Sequence, residues 1–211
     1  MEQITNFVES LANYEVGNNV TNIYDYNNKS NEIRRENLRL YLYSIMQNKP
    51  QFLLVGEAPG YRGCRLTGIP FTSEYIIFKE NFKIFSNNKY KKTNEYPDYR
   101  KEPTATMMWG AFKKFNFYQP LWNAFPFHPH KKDNPNSNRP PTSLELESGM
   151  SFLSELINIF GIDKKNIIPV GKNAYDLLKN NNFVCKYKAR HPSNGGKSEF
   201  IRDLKLIVGT N

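Results

Sequence analysis

The chain has 211 residues, 39% of them hydrophobic and 14% aromatic, enough to bury a core without disulfide or metal staples. Its two cysteines, Cys64 and Cys185, lie far apart and in no CxxC or CxxH spacing. They cannot alone ligate a four-cysteine zinc or iron–sulfur site, and they read as free thiols in a reducing compartment. The formal charge of +9 suits a polyanionic partner, although an excess of lysine and asparagine also follows from coding bias.

Residues 1–50 read as an N-terminal helical extension. Within it, Asn22 to Ser30 is polar and loop-like, and Asn31 to Met46 sets Ile33, Leu38, Leu42 and Ile45 near helical spacing. Residues 51–211 read as one α/β domain. The run Phe52 to Gly56 is a short apolar strand, and such a run suits burial on both faces. Asn81 to Lys101 is a basic, tyrosine-rich excursion, and Pro103 to Phe115 is a helix with proline in its first turn. A second strand covers Tyr118 to Asn123, and a loop follows from His128 to Pro141. Thr142 and Glu145 have the spacing of a capping box for a helix that stops at Gly161. A strand at Ile167 to Val170, a helix at Asn173 to Leu178, a strand at Val184 to Ala189 and a helix at Ser198 to Val208 complete the chain. The alternation predicts a three-layer α/β/α sandwich around a central, mainly parallel four-stranded sheet. No apolar run approaches the roughly 20 residues of a membrane span, and Met1 to Asn13 lacks the pattern of a secretory signal. The expectation is a soluble, cytoplasmic monomer with no membrane partner.

Each predicted strand runs into a polar or Gly/Pro turn: GEAPG, NAFPF, GKNA and ARHPS. Open α/β sheets bind ligands beyond the carboxyl ends of their strands, so four such turns on one rim describe a site. Gly56 to Gly60 lacks dinucleotide-fingerprint spacing and reads as a tight turn that backbone or substrate can approach. Gly171-Lys172-Asn173 fails the phosphate-loop pattern at both ends and reads as a helix start. His128 and His130, with a proline between them, read as loop residues before metal ligands. Arg190 to Gly196 offers one imidazole, a hydroxyl and flexible amides. Such a loop can cradle a phosphate while the ring reaches a reacting oxygen, or can be structural only.

Taken together in this order, the motifs resemble the uracil-DNA glycosylase superfamily. The nearest likeness is to the bacterial and archaeal branch whose first motif reads GEAPG and whose last begins HPS. Gly68-Ile69-Pro70-Phe71, Leu121-Trp122-Asn123 and Asn138-Arg139-Pro140-Pro141-Thr142 resemble further segments of that branch. The resemblance covers about residues 50 to 208 and implies a monofunctional enzyme that flips uracil from DNA and hydrolyses its N-glycosidic bond. It assigns stacking on the base to Phe71, reading of its edge to Asn123, and contact with it to the Ala58-Pro59-Gly60 turn. His191 would stabilise the departing base, while Arg190, Ser193, Asn194, Gly195 and Gly196 would hold the DNA backbone. The partner implied is uracil-containing DNA, and no metal or other cofactor is required. Two departures stand out. The cysteines of that branch's iron–sulfur cluster are missing, and Ala58 occupies the position of the water-activating aspartate in the best-known branch. Glu57 and Glu74 are the candidates for orienting water. The rival readings are a DNA-binding homologue that lost catalysis, a glycosylase for another deaminated or mismatched base, and a metal-dependent hydrolase on His128, His130 and His191.

Overall fold

The computed structural model describes residues 1–87 and 89–209. In chain order the elements are α1 (Glu2–Ala12), β1 (Val20–Thr21), α2 (Lys29–Met46), β2 (Leu53–Gly56), α3 (Cys64–Thr67), α4 (Glu74–Lys79), α5 (Pro103–Phe115), β3 (Leu121–Asn123), β4 (His128–Pro129), α6 (Ser143–Phe160), β5 (Ile167–Pro169), α7 (Lys172–Asn180) and α8 (Lys197–Val208). Two single turns of 3-10 helix, Lys83–Phe85 and Lys164–Asn166, join them.

The central sheet is parallel, in the order β3-β2-β5. β2 lies in the middle, and all four of its residues are buried, which explains why its sequence is apolar without alternation. Leu54 sits opposite both Leu121 and Ile168, and Gly56 opposite Asn123. The expected fourth strand is reduced to one bridge, Ala189 to Val170. Lys186 and Lys188 are exposed, and among the described residues no strand pairs on the far side of this segment, so it leaves the ladder. β1 and β4 form a separate antiparallel pair that ties residue 21 to His128.

Helices surround the sheet. α1 contacts α2 and α6, while α5 contacts α8. Phe7 of α1 lies 5.2 Å from the ring of Trp122 on β3 and 6.5 Å from Phe152 of α6. α6 begins with the capping box read from the sequence. Thr142 accepts from Glu145 N, and the Glu145 carboxylate accepts from Thr142 N. At its middle, Gly149 lies so close to the sheet that a Cβ would be 1.9 Å from the Ala124 carbonyl. The chain just past β3 is therefore pressed directly against a helix. Among the described residues, no helix is long and apolar enough to cross a membrane.

The excursion before α5 is tied down. Glu95 forms ion pairs with Arg34 of α2 and Arg65 of α3. The Asn37 amide donates to Lys91 O and accepts from Lys91 N.

Candidate active site

The carboxyl ends of β2 and β3 stay hydrogen-bonded past the strands: Ala124 N donates to Gly56 O at 2.8 Å and Phe125 N to Glu57 O at 2.9 Å. This carries the GEAPG turn and Asn123 to one rim. A cavity of about 280 Å³ opens there, lined among others by Ala58, Gly60, Phe71, Asn123, His191 and Ser193. Five of the sequence-predicted positions thus meet Ser193 of the last motif in one concave space.

Phe71 reaches it at a conformational cost. Its φ is +51°, in the left-handed region that a bulky residue rarely adopts, typically worth about 1–3 kcal/mol of strain. The tip of the ring closes on the backbone at Gly56, where a Cβ would stand 2.2 Å from Phe71 Cζ. Its centroid is 6.1 Å from that of His191.

Asn123 is almost fully buried. Its amide nitrogen donates toward Cys64 Sγ at 3.8 Å, a long and weak contact. Burial pushes the Cys64 thiol up to about 12, so it stands in the wall as a neutral S–H. This arrangement turns the amide nitrogen toward α3 and the oxygen toward the Gly56 backbone.

His191 has a defined tautomer. The backbone N–H of Ser193 donates to Nδ1 at 3.2 Å, and the Ser193 hydroxyl lies 2.7 Å from the same atom. Nδ1 therefore bears the lone pair, and the ring proton sits on Nε2. Burial, with a smaller contribution from the Arg190 guanidinium, pushes the ring's pKa down, which agrees with a neutral imidazole. Among the described residues Nε2–H has no protein acceptor, so it is available to a ligand. The loop is held by close packing. At Gly171 (φ +94°) a Cβ would be 3.1 Å from His191 Cβ, and at Gly196 it would be 2.2 Å from the His191 carbonyl.

A second cavity of about 310 Å³ shares Ala58, Phe71, His191 and Ser193 with the first and adds Glu57, Asn173, Arg190 and Asn194. Asn173 Nδ2 donates to Glu57 Oε1 at 2.9 Å, so the start of α7 holds that carboxylate. Glu57 borders this space and not the first.

Other predicted positions lie elsewhere. Pro59 is buried behind the wall, with its carbonyl 2.8 Å from His128 Nδ1. Gly195 is at the exposed loop tip, and Gly196 is buried beneath His191. Glu74 lines neither cavity. It is buried, and its carboxylate accepts from Arg100 N and Thr93 Oγ1, both at 3.4 Å. The wall also contains positions that the sequence reading did not single out for it. Cys64 and Gly63 come from α3 and its approach. Glu102 caps α5 by accepting from Thr104 N and Ala105 N, and Asn138 Oδ1 accepts from Tyr61 N. The Glu-Pro pair at 102–103 marks a helix start in the sequence, but nothing in it says which space that helix start borders.

The His128 ring has a carbonyl at each nitrogen, Pro59 O and Pro135 O at 2.9 Å. The Nδ1 of His130 is 2.9 Å from Lys131 O. Both rings are thus committed to backbone. Among the described residues, no three His, Cys, Asp or Glu side chains converge as metal ligands.

Comparison with known proteins agrees with the geometry. Wild-type SMUG2 of Pedobacter heparinus, known from a crystal structure, has the same fold. It superimposes with a TM-score of 0.66 at 16% identity, over 98% of this chain and 96% of that one. Among curated proteins no match was found. Residues 44–207 match the Uracil DNA glycosylase superfamily. The chain belongs to that superfamily, and its class of chemistry is that of a DNA glycosylase.

Proposed function

We propose that this protein is a monofunctional glycosylase that excises uracil from DNA. The observation that carries the reading is the meeting of Phe71, Asn123 and the Nε2–H of His191 around one cavity at the carboxyl ends of β2 and β3. A base within the duplex is out of reach, so the nucleotide is flipped at a cost of a few kcal/mol. Phe71 stacks on the flipped ring. The Asn123 amide donates to one uracil carbonyl and accepts from the ring N–H, a pattern that cytosine reverses. As the C1′–N1 bond breaks, its electron pair leaves with the base, and the sugar becomes cationic. His191 Nε2–H donates to the anionic base, a preorganised contact typically worth about 3–4 kcal/mol. Water adds to C1′, and the Glu57 carboxylate held by Asn173 orients it and takes its proton. Arg190, Ser193 and Asn194 hold the flanking phosphates.

One observation favours a second substrate. A Cβ on Gly60 would meet nothing within 4 Å, so no side chain bars a methyl group at this turn. Thymine mispaired with guanine is therefore the alternative base.

The test uses end-labelled oligonucleotides with one uracil, single-stranded or opposite A or G, beside a T:G duplex, followed by hot alkali. Strand cutting at uracil that disappears in His191→Ala is expected. Intact uracil strands with cutting only at T:G would move the assignment to mismatched thymine. Intact strands throughout would move the assignment to another deaminated base first, and then to a binding protein without chemistry.

A further inference from the structure

The excursion from Asn81 to Lys101 builds a second feature beside the cavity. Its end packs against α4 to form a groove of about 680 Å³, lined by Arg62, Lys79, Arg100 and Lys101 together with Tyr75 and Tyr99. The one carboxylate in its lining, Asp98, is 3.6 Å from Arg100 Nε. Cations lie over the rings: Lys79 Nζ is 4.4 Å from the Tyr99 centroid, and Lys101 Nζ is 3.9 Å from that of Tyr75. Tyr99 leans on Phe78 at 5.4 Å between centroids. Tyr75 N donates to Arg100 O, so α4 and the excursion are joined at the groove. With Glu95 and Lys91 anchored as described, these rings and charges stand on a fixed platform.

The groove continues the candidate active site along the chain at two points. Arg62 is two residues beyond Gly60, and Lys101 immediately precedes Glu102; both Gly60 and Glu102 line the base cavity. Positive charge attracts phosphate. Aromatic faces add a contact that only unpaired bases can use, since a duplex buries its base faces.

We propose that this groove holds the single strand of DNA adjoining the flipped nucleotide, with its phosphates on Arg62, Lys79 and Lys101, the Lys79 ammonium moving from the Tyr99 ring to a phosphate and an unpaired base taking its place on that ring. The assignment rests on the glycosylase reading for its place in the reaction, but it is tested by binding alone. Fluorescence anisotropy with a uracil-free single strand and a blunt duplex of the same sequence is read across about 50–200 mM salt. Lys79 and Lys101 are exposed, so the double variant Lys79→Ala/Lys101→Ala keeps the fold. It is expected to bind the single strand about tenfold more weakly near 0.1 M salt, with a salt slope shallower by about 1.4, or 0.7 for each phosphate no longer neutralised. Tyr99→Ala is expected to lose about fivefold or more on the single strand and little on the duplex.

Single-strand binding unchanged in both variants, or Tyr99→Ala weakening the two DNA forms equally, would overturn the proposal. Excision at saturating uracil DNA is measured in parallel. A protein that binds through the groove and excises nothing keeps the groove and loses the glycosylase reading. Excision with unaltered binding in both variants does the reverse. No DNA binding by the wild type would remove both.

Discussion

The Phe71 ring occupies the space that any side chain at position 56 would need: a Cβ on Gly56 would stand 2.2 Å from Phe71 Cζ and 3.3 Å from Asn123 Oδ1. Position 56 therefore sets where both groups sit. Gly56→Ala is expected to displace the ring by about 1 Å and to lower single-turnover excision about 100-fold. The far-ultraviolet circular dichroism should stay that of the wild type. Full activity in this variant would show that the ring's position does not matter.

His191 predicts a pH dependence with a definite sign. Burial and Arg190 hold its pKa below the unfolded value of about 6.5. The folded state therefore binds fewer protons than the unfolded state in the window below that value. The stability this contributes is complete above about pH 6.5 and erodes as pH falls toward the folded pKa. Protonation of Nδ1 also breaks the Ser193 N–H contact. Excision at saturating DNA should be flat at neutral pH and decline on the acid side. Arg190→Gln removes a repelling charge and should move that acid limb to higher pH; an unmoved limb would rule out the charge as its cause.

Glu57 and Asn173 form a pair whose removal separates chemistry from binding. Glu57→Gln is expected to lower kcat about 100-fold with KM little changed. Asn173→Asp removes the amide donor that holds the Glu57 carboxylate and is expected to lower kcat about tenfold, again with KM little changed. A KM effect alone in both variants would assign the pair to DNA binding.

Much of the fold could be read from the sequence because its signals are local. The Thr142–Glu145 capping box and the stop at Gly161, which adopts φ +63°, need only neighbours in the chain. The apolar run of β2 identified a strand buried on both faces for the same reason. The edge segment 184–189 misled, because an alternating pattern does not reveal whether a partner strand exists. At the site, the positions of Phe71, Asn123 and His191 followed from motif order. Cys64, Glu102 and Asn138 did not, since their approach to the cavity depends on how α3, α5 and the loop before α6 pack. Pro59 faces inward because His128, far along the chain, holds its carbonyl. Glu74 is drawn away by a backbone N–H 26 residues later.

The Arg139–Glu145 pair supports the start of α6, with Arg139 Nη2 2.6 Å from Glu145 Oε1 and Nη1 2.7 Å from Oε2. Arg139 first, and Thr142 in smaller part, hold the Glu145 carboxyl below its usual range. The contribution is present above the unfolded pKa of about 4.3 and is lost as pH falls through the folded value. Glu145→Gln should cost about 1–2 kcal/mol at pH 7, seen as a Tm lower by a few degrees. The gap to wild type should close in acid. A constant gap from pH 7 to strong acid would mean that charge is not what the pair contributes.

Phe7 on Trp122 ties the first helix to the strand that carries Asn123. The superfamily match begins at residue 44, whereas Phe7 lies in α1 and Trp122 directly precedes Asn123. The residue assigned to reading the base is thus braced by a helix outside the matched region. Drift in α1 can shift the floor of the cavity without altering any residue that lines it. On the proposed function, base selectivity has a handle remote from the substrate, and a comparison restricted to the shared motifs would miss it.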